Sequence, residues 1–421
     1  MIKNNKLLSG SVVYLVSNIL NAAIPFVLLP ILTRYLSPAE YGQVAMFQTL
    51  IAALAAFTGM SVHGAAIRKY YDADVTKESL REYIGACFQI LLASSTVTFL
   101  VLFFFKEDLS QLLGLEERWV LWAVVVSAAG FVINMRLGQW QARKAVLQYG
   151  ALQISSSLAN MLLSLLLVVI LLDGVEGRIN GQLWALSLFA VISLGLLLKD
   201  NLLALSLRPD FLSEALKFGV PLIPHVLGLF LLNAVDRVVI NAELGLEKAG
   251  IYMVAVQLAA VMGIFCDAIN KAYVPWLFER LGRDVLVEKQ QIVRWTYRYF
   301  VAALLVSVLA FIIGPFFVVL VAGERYAEAG SVFGWLALGQ AFRGMYLMVT
   351  NYIFYSKKTG LLSVSTIGAG VLNVGLLMLL VNMFGLVGAA VAYAASMALR
   401  FLFTWRVAQM RHPMPWFDFG K

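Results

Sequence analysis

Again and again along this sequence, about 20 apolar residues follow one another with scarcely a charge, a run length that suits a membrane-crossing helix. The hydrocarbon core of a bilayer is about 30 Å thick, and a helix rising about 1.5 Å per residue crosses it in about 20 residues. Lipid offers the backbone no hydrogen bonds, so each run must satisfy its own amides and carbonyls as a helix. Composition agrees: of 421 residues, 61% are hydrophobic and 13% are charged, about half the charge of a soluble domain.

The runs lie near residues 9–33, 42–63, 83–105, 118–137, 145–172, 179–198, 217–240, 249–270, 298–321, 329–353, 359–381 and 387–407. They predict an all-α integral membrane protein of about twelve transmembrane helices. The uncharged stretch 359–399 is too long for one span, and Asn382-Met383-Phe384-Gly385 supplies the turn that divides it. The first run is longer than the apolar part of a signal peptide and has no small-residue cleavage site before Thr33-Arg34-Tyr35, so it is expected to be retained.

Lys and Arg alternate loop by loop. Lys3, Lys6, Arg68, Lys69, Lys77, Arg81, Arg136, Arg143, Lys144, Lys199, Arg208 and Lys217 fall on one side, followed by the basic block between Lys271 and Arg298 and by Lys357, Lys358, Arg406, Arg411 and Lys421. The other side holds only Arg34, Lys106, Arg118, Arg178, Lys248 and Arg325. Cytoplasmic loops are the basic ones, which puts both termini in the cytoplasm. The net charge of +8 is then topological, and no nucleic-acid partner is expected.

The longest loop, 271–298, interleaves Trp276-Leu-Phe278 and Ile292-Val293 with charges. It reads as an amphipathic helix lying in the cytoplasmic interface, the alternative being a solvated connector. Cys87 and Cys266 both lie in apolar runs and are expected as small core residues.

The two halves of the chain echo each other. Leu36-Ser-Pro-Ala-Glu-Tyr-Gly42 and Leu244-Gly-Leu-Glu-Lys-Ala-Gly250 share their Leu-to-Gly spacing; Arg143-Lys144 corresponds to Lys357-Lys358, Asn160 to Asn373, and Gly181 with Ala185 to Gly388 with Ala392. Six helices per half predict a parallel repeat of two lobes, residues 1–200 and 201–421, around a central cavity. Prolines interrupt the first helix of each half, Pro25 and Pro30 in one, Pro221 and Pro224 in the other. They mark either hinges for alternating access or static kinks.

Three segments carry a resemblance: Pro25-Phe-Val-Leu-Leu-Pro-Ile-Leu-Thr-Arg-Tyr-Leu-Ser-Pro-Ala-Glu-Tyr-Gly42; Asp236-Arg-Val-Val-Ile-Asn241 with the residues 244–252 and Ala255; and Gly385-Leu-Val-Gly-Ala-Ala-Val-Ala392. They resemble the Wzx-type oligosaccharide and O-antigen flippases of the multidrug/oligosaccharidyl-lipid/polysaccharide exporter superfamily. The resemblance extends over essentially the whole chain. It implies a two-lobed bundle in the bacterial cytoplasmic membrane that carries undecaprenyl-diphosphate-linked oligosaccharide to the periplasmic leaflet for surface polysaccharide synthesis. Membrane lipids and the polysaccharide polymerase machinery are the partners it suggests. Lipid II flippases typically have more helices, which points away from that branch, while drug-extruding relatives share the fold.

Charged residues inside a membrane usually face a cavity or a partner. Arg343, in mid-helix, is the leading candidate: its planar fork suits a diphosphate, the alternative being an ion pair with another helix. Asp236 and Arg237 match an acidic-basic pair of the resembling family. Adjacent helical positions point about 100° apart, so one is expected to line a cavity and the other to snorkel to the headgroups.

Asp267 and Lys271, at i and i+4, have the spacing of a same-face ion pair, either a gate or a helix-end contact. Arg34, Arg68 and Arg400 lie near helix ends, where they either lend positive potential to a cavity or snorkel. His63 and His225 are candidates for titration or for packing, and His225, Pro25 and Pro224 join Asp267 and Lys271 as gate or coupling candidates.

No nucleotide-binding loop, carboxylate pair, Ser/His/Asp set or metal-spaced His/Cys cluster is found, so no cofactor and no catalytic function is expected. Coupling to a proton or sodium gradient or to the membrane potential is open to such a chain. Besides a flippase, two readings compete: a multidrug or cation antiporter of the same fold, which calls for an acidic cavity, and a membrane-bound sugar polymerase, which calls for a long external loop.

Overall fold

The structure, a computed structural model, describes residues 20, 21, 23–204, 206–357 and 360–417. Most of the first expected span, with Lys3, Lys6, Lys358 and Lys421, lies outside the described residues. The chain divides into two compact units, Met1–Leu227 and Gly228–Lys421.

In the first unit, α1 (Ala23–Tyr35) contains Pro25 and Pro30 and continues through both without a break. It leads into α2 (Pro38–Leu54), whose start is fixed by a capping box. Ser37 Oγ accepts from the Glu40 amide at 3.3 Å, and the Glu40 carboxylate accepts from the Ser37 amide at 2.8 Å. The motif shared by the two halves thus marks a helix start, and its counterpart starts one as well, with Gly245 at the N-cap of α12 (Leu246–Arg283).

The span expected at 42–63 is bent. Gly59, Met60 and Ser61 all take positive φ (72°, 46° and 58°), and α3 (Val62–Lys69) leaves the axis of α2 by 60°. A side chain on Gly59 would sit 2.3 Å from the Phe131 ring, so both conformation and space require glycine there. The unit continues with α4 (Lys77–Phe104), the short α5 (Lys106–Leu113), α6 (Glu117–Ala142), α7 (Val146–Leu165), which ends in a π turn at Leu166–Ile170, α8 (Gly174–Lys199) and α9 (Pro209–Gly219). α6 is the most enclosed of these, with Trp119, Met135 and Arg136 fully buried.

The expected span 217–240 is also segmented. After α9, Pro221 sits in a single 3-10 turn, Pro224 opens α10 (Ile223–Asn233), and Ala234 (φ −139°, ψ −25°) breaks the helix again before α11 (Val235–Leu244). The prolines therefore accompany one tightened turn in a span that runs from Pro209 to Asn233, the break falls at Ala234, and in α1 they leave the helix continuous. The boundary between the compact units falls within α10.

The second unit is built on α14 (Ala329–Tyr355), against which α12, α13 (Leu286–Ala322) and α15 (Gly360–Arg411) all pack. Its Gly334 and Gly339 let the rings of Phe311 and Tyr393 lie against the helix backbone, the use that membrane helices make of small residues. The loop expected to lie as a separate interfacial helix is instead the helical continuation of two spans. α12 and α13 have 38 and 37 residues and meet at Asp284 (φ 53°). Its apolar residues, such as Leu277, Ile292 and Val293, are buried against one another and α14, so the amphipathic pattern records a helical hairpin.

α15 has 52 residues and reverses at Gly385 (φ 58°, ψ −136°), a conformation open to glycine. Ser365 bonds Thr404 at 2.9 Å and Arg400 bonds Thr366 at 3.0 Å, so its two legs run antiparallel. The turn expected at 382–385 is thus in place. Among the described residues, eight helices are long and apolar enough to span a bilayer, or nine when the bent α2–α3 pair counts as one span, with α9 and α10 taken together and the two legs of α15 counted once.

The turn of α15 allows a stability test. A Cβ on Gly388 would stand 1.9 Å from the Leu380 carbonyl oxygen, whereas one on Gly375 meets nothing within 4 Å. Gly388→Ala should lower the thermal midpoint of the purified protein in detergent by several degrees. Gly375→Ala should leave it unchanged or raise it slightly, since alanine is the better helix former by about 1 kcal/mol.

Candidate functional site

Gln340 and Arg343 lie one turn apart in the middle of α14, facing α12. The facing residue on α12 is Gly263, where a Cβ would lie 2.5 Å from Gln340 Oε1 and 2.7 Å from Arg343 Nη1. That gap lets the guanidinium cross the α12 surface. Arg343 Nη2 donates to Asp267 Oδ2 at 2.7 Å.

The pair is not sealed: the side chains are 30% and 38% exposed. Asp267 therefore bonds across to α14, and Lys271, its expected partner one turn on, is exposed and outside the pair. A guanidinium held within reach by a neighbouring helix outcompetes the i, i+4 lysine, whose long stem can carry its ammonium away to the interface.

Polar groups extend from this pair in both directions. Asn351 Nδ2 donates to Asn270 Oδ1 at 2.7 Å between the same two helices. On the other side, Gln340 Nε2 donates to the Tyr393 hydroxyl on α15 at 3.1 Å. Gln340 and Tyr393 then share a small cavity of about 120 Å³ with Asn233 and Asp236.

Asp236 and Arg237 open α11 immediately after the break at Ala234. Both are buried, and neither snorkels. The break provides the reason: Arg237 Nη1 reaches back to the Asn233 carbonyl at 2.5 Å and to Asp236 Oδ1 at 3.5 Å, so the two adjacent side chains serve each other.

Arg400 is buried as well, which sets aside the snorkelling alternative. It donates to Thr366 Oγ1 and lies 3.9 Å over the Tyr346 ring, one of the few ways a guanidinium is held without an acid. The second unit thus gathers three guanidiniums, Arg237, Arg343 and Arg400, against two carboxylates, Asp236 and Asp267.

In the first unit the candidates stand apart. Arg34 ends α1 exposed, and Arg68 ends α3 exposed with its guanidinium 5.8 Å from the Phe218 ring. Pro25 and Pro224 are exposed. His63 packs edge-on against Phe131, 5.6 Å between centroids, and His225 has a buried Nδ1 that finds no hydrogen-bond partner among the described residues.

Two arginines counted in loops are buried instead. Arg136 pairs with Asp200 and lies 4.0 Å over Trp140, and Arg178 donates to Asn160 and Ser164 at 3.0 and 2.9 Å. The i, i+4 spacing of Arg136 and Trp140 was the available sign of the first. Likewise Gln340, three residues before Arg343, was the sign of the polar track in the second unit.

A partly exposed ion pair between membrane helices should be weak, since such contacts average under about 1 kcal/mol. A double-mutant cycle of Asp267→Asn and Arg343→Gln, read by thermal unfolding in detergent, should give a coupling of about 0.5–1 kcal/mol. A coupling above about 3 kcal/mol would instead indicate a fully desolvated pair.

A helical bundle with apolar spans and a polar track inside one lobe defines a multi-pass membrane protein of transporter fold. Solved structures agree: the chain aligns with the lipid II flippase MurJ in its inward closed conformation (TM-score 0.77, 13% identity, 94% of this chain and 87% of that one). It also aligns with an inward-facing multidrug resistance MATE family transporter of the MOP superfamily (TM-score 0.68, 17% identity, 93% and 94%).

Over residues 7–280 the sequence matches the polysaccharide biosynthesis protein family, and the chain belongs to that family. Among its relatives, an uncharacterized membrane protein of Haemophilus influenzae is 25% identical over 377 residues, 88% of this chain and 89% of its own length. The succinoglycan biosynthesis transport protein ExoT of Rhizobium meliloti is 27% identical over 358 residues, 80% of this chain and 66% of its own length.

Proposed function

We propose that this protein is a flippase that carries a polyprenyl-diphosphate-linked oligosaccharide from the cytoplasmic to the periplasmic leaflet of a bacterial inner membrane, with both termini in the cytoplasm. The carrying observation is the excess of guanidinium over carboxylate along the polar track of the second unit, with Arg343 in mid-span and held by a breakable pair. A diphosphate is the ligand that such an excess favours, because a guanidinium can meet it with two parallel charge-assisted hydrogen bonds. Family membership and the transport relative in succinoglycan biosynthesis support a lipid-linked saccharide as cargo.

The same ledger weighs against a cationic drug. Asp267 is bonded to Arg343 and Asp236 to Arg237, so each carboxylate is already matched by a cation of the protein itself.

In the proposed cycle, the incoming diphosphate draws Arg343 away from Asp267. A proton or sodium ion then takes the place of the guanidinium at Asp267, which couples transport to the ion gradient. Binding energy at the head offsets part of the cost of moving sugar hydroxyls through the membrane, while delivery to the polymerase machinery removes the product.

The test is leaflet-specific labelling of the lipid-linked oligosaccharide in cells lacking the gene and complemented with variants. Loss of the gene should trap complete repeat units on the cytoplasmic leaflet. Arg343→Ala should fail to release them at normal protein levels, and Arg343→Lys should restore delivery in part, having the charge but not the fork. Normal delivery without the gene, accompanied by sensitivity to cationic drugs, would refute the flippase reading.

A further inference from the structure

The long hairpin of α12 and α13 is open along one side. Both helices pack on α14, yet they touch each other little. Near the turn Arg280 Nη1 bonds Gln291 at 2.8 Å and Arg283 Nη1 bonds Glu288 at 3.1 Å, and further along the Tyr273 and Thr296 hydroxyls bond at 3.3 Å. Away from the turn the helices splay, and α14 becomes the floor of a groove between them.

The groove has two continuous parts that share Ile269, Tyr299 and Ala302. The deeper part, about 450 Å³, has apolar walls, among them Met262, Phe265, Val306 and Phe317. The part nearer the turn, about 640 Å³, is walled by Trp276, Trp295, Arg280 and Arg298, with Tyr273 and Thr296.

Each arginine lies against its own tryptophan, Arg280 at 4.3 Å over Trp276 and Arg298 at 5.0 Å over Trp295. Among the described residues, neither has an acidic partner within 4 Å. Tryptophan beside arginine is the chemistry of the headgroup level. The basic residues of this turn assign that level to the cytoplasmic leaflet. Phe265, Ile269 and Val306, on the rim, are 65%, 46% and 51% exposed, so the deeper part opens sideways toward lipid chains.

We infer that this groove is the seat of the long-chain polyprenyl diphosphate lipid in the cytoplasmic leaflet before its head reaches Arg343, its chain lying in the apolar part and its phosphates between Arg280 and Arg298. Charge complementarity selects an anionic head, and length selects the chain. On α13 the apolar wall runs from Tyr299 to Phe317, about 27 Å at about 1.5 Å per residue. That is nearly the whole hydrocarbon core of about 30 Å, whereas the acyl chain of a phospholipid fills one leaflet, about half of it. The inference rests on the flippase reading for its cargo class and adds that the tail travels against the protein, not free in the bilayer.

Binding is measured on the intact protein in detergent, apart from any transport. The probe is a polyprenyl phosphate of about eleven isoprene units bearing a photoreactive diazirine near the end of its chain, with cross-links located by peptide mass spectrometry. Cross-links should fall on α12 and α13 around Met262 and Val306, and unlabelled polyprenyl phosphate should compete.

Ala302→Trp fills the shared wall of an open space and should reduce labelling about tenfold with the protein still monodisperse. Arg280→Gln with Arg298→Gln should weaken competition by the phosphate at least several-fold while leaving that by the corresponding polyprenol unchanged. Labelling unaffected by Ala302→Trp would overturn the proposal. Equal competition by phosphatidylglycerol would also overturn it, assigning the groove to an ordinary phospholipid. Normal leaflet delivery together with absent labelling would refute the groove alone, and labelling without delivery would uphold the groove and refute the flippase.

Discussion

A polar group in the hydrocarbon of a bilayer has no water to turn to, so each must be satisfied by the protein that carries it. The buried arginines show how far this one constraint shapes the chain. Arg136 is held by a carboxylate and an indole, Arg178 by an amide and a hydroxyl, Arg237 by a freed carbonyl and its own neighbour, and Arg400 by a threonine and a tyrosine ring. Each solution requires a local departure from a plain apolar helix. The break at Ala234 is the clearest, since a continuous helix would have spent the Asn233 carbonyl on its own ladder and left the Arg237 guanidinium without it.

Arg343 is the exception that makes the others informative. Both its side chain and that of its partner Asp267 are open by about a third, and only the absence of a side chain at Gly263 lets them meet. Burying an arginine among its partners produces a fixed strut. Pairing it at a partly open surface produces a contact that a competing anion or cation can dissolve at modest cost. The distinction between structural and exchangeable charge is therefore carried by exposure, not by residue type.

What the sequence made legible follows from the same physics. The bilayer sets a length, so apolar runs were readable as helices, and the turn near Gly385 was readable because no single span could hold the run around it. The repeated Leu-to-Gly motif was readable as a repeat from its spacing, and that it marks helix starts emerged from the capping box at Ser37 and Glu40 in its first copy.

The partners of charges were much less so. Local spacing paired Asp267 with Lys271, and only tertiary packing could supply Arg343; loop counting put Arg136 and Arg178 at the surface, although their partners lie at distances of 14 to 64 residues. The hairpin of α12 and α13 failed for a related reason. Charges interleaved with apolar residues describe equally well a helix lying on a membrane and two helices packed together beyond it, and periodicity alone does not separate them.

That hairpin also ties packing to cargo. Had α12 and α13 interlocked along their length, as membrane helices commonly do, Phe265 and Val306 would face each other and no groove would open. Because both are committed to α14, the contacts that join them are gathered toward the turn, polar ones at Arg280 and Arg283 and apolar ones at Leu277, Ile292 and Val293, and those hold the ends together while the middles part. A surface of this kind has apolar walls along most of a bilayer's thickness and cations at one end. An occupant must be amphiphilic in the same sense and of the same length, so the dimensions of the groove limit the lipid before any sugar is considered.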